Sequence, residues 1–362
     1  MELAKTLRKV YSGSLPKMTG VSPALREFLD QYNLSSEKLK DVVVDVDNRL
    51  TIDNLRAQNT EDAGLNSIVN LRLLNRIREI VPFFSAVNEN LESEGFFVCC
   101  VETAGQRKKR LYKKFPSGIN TLYYIFDYLG KRVLPKLPLS KQVYFFLTAG
   151  RNRVLSRVEV LGRLAYCGFQ IVGEKEIENR LFVIAKKQNN VVGKQEKNYG
   201  LLFKMKRHGY QGNLIEVYKF RSMYAYAEYL QEFIYQQNKL DKGGKFKKDF
   251  RVNMMGKWIR KLWVDELPMI YNLFKGDLKL VGVRPISQQY LSLYGEEFAE
   301  KRKQFKPGLI PPFYADLPET IEEIKASEAR YFEAYQKAPL QTDFRYFVKC
   351  FSNILFRKAR SN

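Results

Sequence analysis

The 362-residue sequence contains a single histidine, His208, and only four cysteines. One histidine excludes a histidine-rich metal site and any histidine-dependent catalytic triad placed elsewhere in the chain. The cysteines lack metal-ligand spacing, and the adjacent pair would face opposite sides of a strand. We interpret all four as small buried side chains of a protein from a reducing compartment; they are Cys99, Cys100, Cys167 and Cys350.

Long apolar runs are also missing. No stretch reaches the roughly 18 uncharged apolar residues that a membrane-spanning helix needs. The nearest candidate, residues 119–129, is shorter and contains Asp127. The amino-terminal residues MELAKTLRKVYSG have no apolar core of the kind that a signal peptide requires. These absences predict a cytoplasmic protein without a transmembrane span.

Positive charge is abundant and runs along the whole chain. Lysine and arginine number 61 against 39 acidic residues, which gives a formal net charge of +22. Such a field favours nucleic acid, an anionic membrane surface or a phosphorylated small molecule, although a basic surface kept for solubility explains it equally well. The charges are not clustered and no nucleic-acid-binding motif is present, so we expect no nucleic-acid partner.

The length suggests two or three domains. Residues 1–64 are poorly patterned, apart from a predicted short helix at 23–34 and a predicted strand and turn at 42–52. Apolar residues at broadly helical spacing predict one helix over 65–94. An apolar strand follows at 96–102.

The next segments predict further alternation of helices and strands. Residues 134–148 are predicted to be a loop that leads into a strand or a buried helix. Ser156 and Glu159 form a capping-box pattern, and the helix that they begin is predicted to end at Gly168. Residues 169–187 are then predicted to be a strand, a turn and a second strand.

This order of elements over 65–190 resembles the back half of a Rossmann-like methyltransferase. The glycine-rich loop that cradles the cofactor is missing. We therefore expect an incomplete Rossmann-like domain without cofactor binding, and the missing loop disfavours an active methyltransferase. Together with the second domain, the fold class is predicted to be α/β.

Residues 191–362 are predicted to form the second domain. A polar linker at 188–200 precedes a predicted β-hairpin at 201–223. A helix is predicted from about 225 to 236, and a loop rich in glycine and lysine follows at 239–248.

Two adjacent carboxylates, Asp265 and Glu266, begin the segment VDELPMIYNLFKGDLKLVGVRP. As an isolated motif, they are typical of the capped first turn of a helix. A helix N-terminus also stabilises a carboxylate as the anion, which is the form that a nucleophile needs. The pattern is therefore compatible with capping, with catalysis or with both. Nearby cations could clamp a diphosphate while a carboxylate attacks phosphorus; they are Lys219, Arg221, Arg260 and Arg284.

Three motifs give the chain a specific resemblance. They are KFRSM (219–223), IRKLWVDELPMIYNLFKGDLKLVGVRP (259–285) and KPGLIPP (306–312). In this order they resemble the bacterial sugar transferase family, the monotopic phosphoglycosyl transferases that start capsule, exopolysaccharide and glycan assembly on a polyprenyl-phosphate carrier. The resemblance implies that residues 191–362 are an α+β phosphoglycosyl transferase domain.

The resemblance also implies a two-step reaction. Asp265 would attack the β-phosphorus of a nucleoside diphosphate sugar such as a UDP-sugar, and polyprenyl (undecaprenyl) phosphate would take the phosphosugar from it. Asp265 and Glu266 would hold Mg²⁺, or Glu266 would manage the protonation of the acceptor. The matching residues Lys219, Arg221, Arg260 and Arg284 would bind phosphate. Gly282 and Pro285 would shape the loop around Arg284.

The sequence departs from the family pattern before the hairpin. The family has a hydrophobic re-entrant helix there, whereas residues 182–200 are too polar to enter a bilayer. We therefore expect peripheral contact with the inner face of the cytoplasmic membrane through Trp258, Trp263 and the aromatic, basic segment 344–362. An ordinary core-packing helix is the alternative for that last segment, and a soluble acceptor or a membrane protein partner stays open.

A second class of function competes with the enzyme. The chain could be a catalytically inactive scaffold or regulator of a polysaccharide-assembly complex. The missing membrane helix favours this alternative. The intact pair Asp265 and Glu266 favours the enzyme.

Overall fold

The computed structural model describes residues 22–34, 65–136, 138–188, 193–197, 199–238, 240–241, 245–246 and 249–356. It divides into two compact units. The first unit comprises the chain up to residue 197 together with 226–230, and the second comprises 198–225 and 231 onward. The strand and turn predicted at 42–52 lie outside the described residues.

The first unit is built on one four-stranded sheet. Its elements in chain order are α1 (Pro23–Asp30), β1 (Leu65–Leu73), α2 (Ile80–Asn90), β2 (Leu91–Val101), α3 (Ala104–Lys114), α4 (Ile119–Tyr128), α5 (Pro138–Thr148), α6 (Arg157–Tyr166), β3 (Phe169–Ile177) and β4 (Arg180–Lys187). The strand order is β1-β2-β4-β3. Strands β1 and β2 are parallel, whereas β4 is antiparallel to both of its neighbours. The unit is therefore a mixed α/β layer with one parallel pair.

The helix predicted over 65–94 is wrong in its first part. Residues 65–73 form β1, and the helix begins only at Ile80. Strand β1 contains consecutive buried residues, such as Ile68 and Val69, because it is covered on both faces of the sheet. Because β1 also buries the polar residues Ser67 and Asn70, its apolar positions do not alternate strictly, and its pattern can be mistaken for that of a helix.

Other predictions for the first unit are confirmed. The Ser156 hydroxyl accepts a hydrogen bond from the backbone N–H of Glu159 at 3.2 Å, and the Glu159 carboxylate accepts one from the Ser156 N–H at 3.0 Å. Gly168 ends this helix with a φ of +86°, a conformation that glycine adopts at no steric cost. The predicted hairpin over 169–187 is formed by β3 and β4.

The four cysteines are buried and form no disulfide, as predicted. Burial raises the pKa of the Cys100 thiol to about 11 and that of Cys167 to about 12. Both thiols therefore stay protonated and unreactive at neutral pH. By contrast, the strand or buried helix predicted within 134–148 is an exposed helix, α5, whose Phe146 is 89% exposed. No helix in the described part of the chain is long and apolar enough to cross a membrane.

The second unit is mainly helical, with short two-stranded pairs. Its elements in chain order are β5 (Leu202–His208), β6 (Leu214–Phe220), α7 (Gln231–Asn238), β7 (Leu240–Asp241), β8 (Lys245–Phe246), α8 (Met254–Lys261), α9 (Met269–Phe274), β9 (Lys279–Val281), α10 (Gln288–Leu291), α11 (Glu296–Lys303), β10 (Gly308–Ile310), α12 (Phe313–Asp316), α13 (Ile321–Lys337) and α14 (Pro339–Phe356). Strands β5 and β6 form the predicted antiparallel hairpin. Strands β9 and β10 pair in parallel.

The core of the second unit fixes strand β9, which leads into the loop that contains Arg284. Val281 packs in a cluster with Phe305 and Phe332, whose rings stack with centroids 4.0 Å apart. The buried Tyr331 hydroxyl donates to the Asp343 carboxylate at 2.7 Å and lies 3.2 Å from the carbonyl oxygen of Val281. Helices α13 and α14 therefore both hold β9 in place.

Candidate active site

Lys219 lies near the end of β6, and a buried asparagine ties this strand to α9. The Asn272 side chain accepts a hydrogen bond from the Tyr218 N–H at 3.0 Å. Its amide donates to the Glu216 carbonyl at 2.7 Å and to the Asp277 carboxylate at 3.0 Å. Because a buried amide with unmade hydrogen bonds costs about 1–3 kcal/mol, these contacts fix α9 against the edge of β6. The chain just before α9 is thereby held beside Lys219.

Asp265 and Glu266 lie in a 3-10 turn, Val264–Glu266, between α8 and α9. The preceding residue, Trp263, has a φ of +60°, which is uncommon for a bulky residue. Its ring packs against Tyr314 with centroids 4.9 Å apart. This contact stabilises the left-handed backbone conformation of Trp263, the residue at which the chain enters the turn.

The prediction that Asp265 caps the apolar helix is wrong. Helix α9 begins at Met269, with Pro268 at its cap position. The Leu-Pro pair therefore separates the carboxylates from the helix by part of a turn. Both acidic residues are instead buried, Asp265 being 6% and Glu266 7% exposed.

Glu266 forms an ion pair with Lys219. The Lys219 ammonium Nζ lies 2.5 Å from Glu266 Oε1, and both side chains are largely buried. Burial lowers the pKa of Lys219, and the negative charge of Glu266 opposes this shift. The pair therefore keeps an ammonium group charged in a site that would otherwise favour the neutral amine.

Asp265 has an unsatisfied carboxylate oxygen. Its Oδ1 is buried and has no hydrogen-bond partner within the described parts of the chain. Burial raises the pKa of Asp265, and the charges of Lys219 and Arg260 oppose this increase. The expected stabilisation of this anion by a helix N-terminus is thus absent, and nearby cations take that role. An unsolvated carboxylate oxygen facing cations is well suited to attack or to ligate a group that the cations attract.

Arg260 reaches the site because α8 packs directly on the chain that follows β6. A Cβ atom added at Gly256 would lie 1.8 Å from the Ser222 carbonyl oxygen, so no other residue fits there. Arg260 Nε donates to the Ser222 hydroxyl at 2.7 Å. Burial lowers the pKa of Arg260, while the charges of Asp265 and Asp249 raise it. Arg260 and Asp265 therefore share one electrostatic environment.

Two glycines shape the loop that contains Arg284. A Cβ atom at Gly308 would lie 2.1 Å from the backbone nitrogen of Gly282. The Gly308 N–H donates to the Val283 carbonyl at 2.9 Å. This close approach of two backbones gives a physical reason for the predicted loop-shaping role of Gly282. Pro285, predicted for the same role, is buried immediately after Arg284.

Arg284 is held by its backbone and leaves its guanidinium unengaged. Arg302 donates to the Arg284 carbonyl at 2.5 Å and pairs with the Glu328 carboxylate at 2.9 Å, deep in the core. Among the described residues, the Arg284 guanidinium has no hydrogen bond or ion pair. Burial lowers the pKa of both Lys219 and Arg260, and the positive charge of Arg284 lowers it further. The three cations therefore lie close together.

Arg221 lies away from these contacts in the described geometry. Its Nε donates to the Gly200 carbonyl at 3.0 Å, and its guanidinium lies over the rings of Tyr199 and Phe203. A phosphate-binding role for Arg221 stays a prediction. Lys219 pairs with Glu266, and the charges of Lys219 and Arg260 act on Asp265, whereas Arg284 acts on Lys219 and Arg260; their phosphate-binding roles also stay predictions.

Sequence reasoning missed several supporting residues. Asn272 lies in MIYNLF, which was interpreted only as an apolar helix face, and a polar residue in that face was the available signal. Ser222 lies within the KFRSM motif that drew attention to its neighbours. The buried pair of Arg302 and Glu328 joins residues that are distant in sequence, so no local pattern pointed to it.

The carboxylate pair fits a divalent cation only if substrate supplies further ligands. In the described part of the chain, no group of three or more His, Cys, Asp or Glu side chains could hold a metal. Asp265 Oδ1 is an orphaned oxygen, and one oxygen of Glu266 is engaged by Lys219. Mg²⁺ commonly binds through one or two carboxylates together with substrate phosphates and water. The donor set is compatible with that arrangement.

Exposed apolar side chains both precede and follow the turn along the sequence. Trp258 on α8 and Leu262, which directly follows this helix, are 58% and 66% exposed, and Phe274 on α9 is 86% exposed. Trp263, by contrast, is partly buried against Tyr314. Along α14, buried and exposed residues alternate at helical spacing. The exposed ones are Leu340, Phe344, Val348, Phe351 and Phe356.

Residues 188–357 match the family model of the bacterial sugar transferases. This segment is thus similar to the bacterial sugar transferases. It makes up just under half of the chain and contains every residue of the site described above. These comparisons give no support to the methyltransferase-like interpretation of residues 65–190.

Curated relatives of this chain are named as sugar transferases. The galactosyl transferase CpsE of Streptococcus agalactiae is 39% identical over 110 residues, which is 30% of this chain and 24% of that protein. The undecaprenyl-phosphate galactose phosphotransferase of Salmonella typhimurium is 38% identical over 108 residues, 28% of this chain and 22% of that protein. The UDP-N-acetylgalactosamine-undecaprenyl-phosphate N-acetylgalactosaminephosphotransferase of Aeromonas hydrophila is 34% identical over 113 residues, 30% of this chain and 24% of that protein. The chain thus spans about a quarter of the length of these relatives.

Proposed function

We propose that the sugar transferase domain transfers a sugar phosphate from a nucleoside diphosphate sugar to polyprenyl phosphate. One observation supports this proposal most directly. Among the described residues, Asp265 has a buried carboxylate oxygen without a hydrogen-bond partner, and the positive charges of Lys219 and Arg260 act on it. This arrangement supports a role for Asp265 as the nucleophile for phosphorus and a role for the cations in binding the diphosphate. The names of relatives that act on undecaprenyl phosphate support the acceptor.

The proposed reaction has two balanced displacements at the same phosphorus. In the first, an Asp265 carboxylate oxygen forms a bond to the β-phosphorus. The bond to the bridging oxygen breaks, and its electron pair leaves with the nucleoside monophosphate. In the second, a phosphate oxygen of the polyprenyl carrier attacks, and the bond from phosphorus to Asp265 breaks. The carboxylate is regenerated, and the lipid diphosphate sugar is released.

The cations make these steps possible, because an anionic nucleophile must approach an anionic diphosphate. Lys219, kept charged by Glu266, and the guanidinium of Arg284 offset this repulsion in a site with little water. Arg260, which donates to the Ser222 hydroxyl, adds a further positive charge that acts on Asp265. Asp265 and Glu266 would hold Mg²⁺, which supplies additional charge neutralisation at the diphosphate.

The lipid acceptor requires the site to meet a membrane. The exposed side chains of α8 and α9 lie directly before and after the turn that contains Asp265. Lys261 on the same helix lies over the Trp258 ring at 5.1 Å, a mixture of aromatic and basic groups that suits an anionic interface. We propose that this surface contacts the inner face of the cytoplasmic membrane and presents Asp265 to the carrier.

The release of nucleoside monophosphate tests the proposal. The full chain is incubated with Mg²⁺, a panel of UDP-sugars and undecaprenyl phosphate, and UMP is measured. If the chain is an enzyme, UMP should be released with at least one donor, and Asp265→Asn should abolish that release. Absence of release from the wild type with every donor would favour a scaffold. In that case Asp265→Asn would leave polysaccharide output in cells unchanged.

A further inference from the structure

A cleft of about 1000 Å³ opens in the first unit at one end of its sheet. Its lining includes Leu73, the last residue of β1, and Glu102, which directly follows β2. Strands β1 and β2 are parallel, so their carboxyl ends meet at this edge. Ligands of open α/β sheets bind outside the carboxyl ends of parallel strands. The volume is at the upper end of the range for small-molecule sites.

The residues that line the cleft are strongly basic. They include eight lysines and arginines but only three acidic residues. Five of the eight cations come from the basic helix α3; they are Arg107, Lys109, Arg110, Lys113 and Lys114. A concave surface with this charge balance attracts an anion rather than a neutral molecule.

Part of this charge is structural. Glu102 accepts hydrogen bonds from Arg110 at 2.5 Å and from Arg107 at 3.4 Å. Asp127 pairs with Arg107 at 2.6 Å and with Lys131 at 3.0 Å. This alternating network joins α3 to α4 and uses both buried carboxylates of the cleft. Its cations are therefore already neutralised by protein groups.

Arg76, Lys113 and Arg180 are among the lining cations that have no carboxylate partner within the described residues. Arg76 follows β1, Lys113 lies on α3, and Arg180 begins β4, so three separate elements bring them to one cleft. The turn before Arg180 is fixed, because the Asn179 amide donates to the Gln106 carbonyl of α3 at 3.1 Å. This hydrogen bond links the turn before β4 to α3. The charges of Arg76, Lys113 and Arg180 are not neutralised by a carboxylate of the described residues.

We propose that this cleft binds a phosphate-bearing small molecule of nucleotide size, through Arg76, Lys113 and Arg180. Arginine forms paired hydrogen bonds with phosphate oxygens, and lysine supplies a point charge. A phospholipid headgroup offers the same phosphate chemistry. The recessed shape of the site favours a soluble ligand, which can enter the cleft as a whole. The proposal concerns the first unit alone and does not depend on the chemistry of Asp265.

Pyrophosphate binding to the full chain, measured by calorimetry, tests the proposal. The double variant Arg76→Gln with Arg180→Gln should weaken binding at the first unit by about tenfold or more, the loss expected for removal of charge-assisted hydrogen bonds. The control, Lys175→Gln with Lys194→Gln, removes the same charge from surface ion pairs with Glu27 and Glu89. It should leave the affinity unchanged. Arg284→Gln, measured alongside, identifies any pyrophosphate that is bound in the second unit.

Two results would overturn the proposal. The first is that the double variant Arg76→Gln with Arg180→Gln binds pyrophosphate in the same way as the control variant. This includes the case in which the wild type, the double variant and the control variant all fail to bind it. The other concerns the source of the phosphate. If that variant loses binding only to phosphatidylcholine vesicles that contain phosphatidylglycerol, and not to pyrophosphate, the ligand is a membrane headgroup and not a soluble molecule.

Discussion

The ammonium group of Lys219 lies 2.5 Å from a carboxylate oxygen of Glu266, and both side chains are largely buried. Burial lowers the pKa of Lys219, and the charge of Glu266 is the main influence that raises it. The pair therefore joins the hairpin to the turn that contains Asp265, and it also influences the pH range over which the lysine is charged. This dual role distinguishes it from a surface ion pair, which contributes little to stability.

The first prediction concerns the alkaline limb of the pH–rate profile. Since burial favours the neutral amine, UMP release should fall at a pH below the ordinary lysine range of about 10.4. Glu266→Gln removes the opposing charge, so it should move this limb to lower pH as well as reduce the rate. Lys219→Arg serves as the control, because a guanidinium stays charged and the limb should disappear. A limb at the same pH in all three proteins would assign it to another group.

The second prediction concerns Asp265 and stability. Burial raises the pKa of its carboxyl, so the folded protein binds this proton more tightly than the unfolded chain does. The free energy of unfolding should therefore fall as pH rises from the ordinary aspartate range through the raised pKa. Asp265→Asn should remove that fall and stabilise the protein by about 0.5–2 kcal/mol at neutral pH. Urea unfolding at several pH values measures both effects.

Asp316 is a control, because its pKa is shifted in the direction opposite to that of Asp265. Burial raises the pKa of Asp316, but hydrogen bonds from Ser327 at 2.7 Å and Arg330 at 2.8 Å hold this pKa below its ordinary value. Asp316→Asn should therefore destabilise the protein, and the wild type should lose this contribution as pH falls through the lowered pKa. If Asp265→Asn destabilises to the same extent, the account of Asp265 as a costly buried anion is wrong.

The third prediction concerns the buried pair that supports Arg284. Arg302→Met leaves the Glu328 charge uncompensated in the core and should cost about 3–5 kcal/mol. The double variant, Arg302→Met with Glu328→Leu, removes both charges and should recover much of that loss. Urea unfolding of the two variants measures the difference. Equal destabilisation would show that packing, and not the buried charge, dominates at this position.

The fourth prediction concerns the membrane surface. Trp258→Ser with Leu262→Ser should weaken binding to anionic vesicles by about tenfold or more, because each buried side chain contributes roughly 1.5–3 kcal/mol. Phe146→Ser with Leu147→Ser on α5 removes equally exposed apolar side chains from the first unit and is the control. UMP release without lipid should be similar in both. Equal loss of vesicle binding in the two variants would contradict a surface specific to α8.

Local patterns could be predicted from the sequence where one element determines them. The capping box at Ser156 and the hairpin over 201–223 are examples, since hydrogen bonds between near neighbours define both. Strand β1 could not be recognised, because its apolar positions do not alternate strictly. The cap assigned to Asp265 failed since Pro268 delays the helix.

The composition of the site was predictable, whereas its internal pairing was not. The motifs identified Lys219, Arg260, Asp265, Glu266 and Arg284, and the structure brings these residues together. The contact between Lys219 and Glu266 joins positions 47 residues apart, so only the folded hairpin and turn reveal it. The support given by Asn272 has the same origin.

Detection of a phosphosugar on Asp265 tests the central claim most directly. The full chain is incubated with Mg²⁺ and the UDP-sugar that supports UMP release, without lipid acceptor, and its peptides are analysed by mass spectrometry. The account predicts that the mass of one sugar phosphate is added to the peptide that contains Asp265. Addition of undecaprenyl phosphate should remove this mass, and Asp265→Asn should never acquire it. UMP release with no modified Asp265, or a modified peptide elsewhere in the chain, would contradict the account.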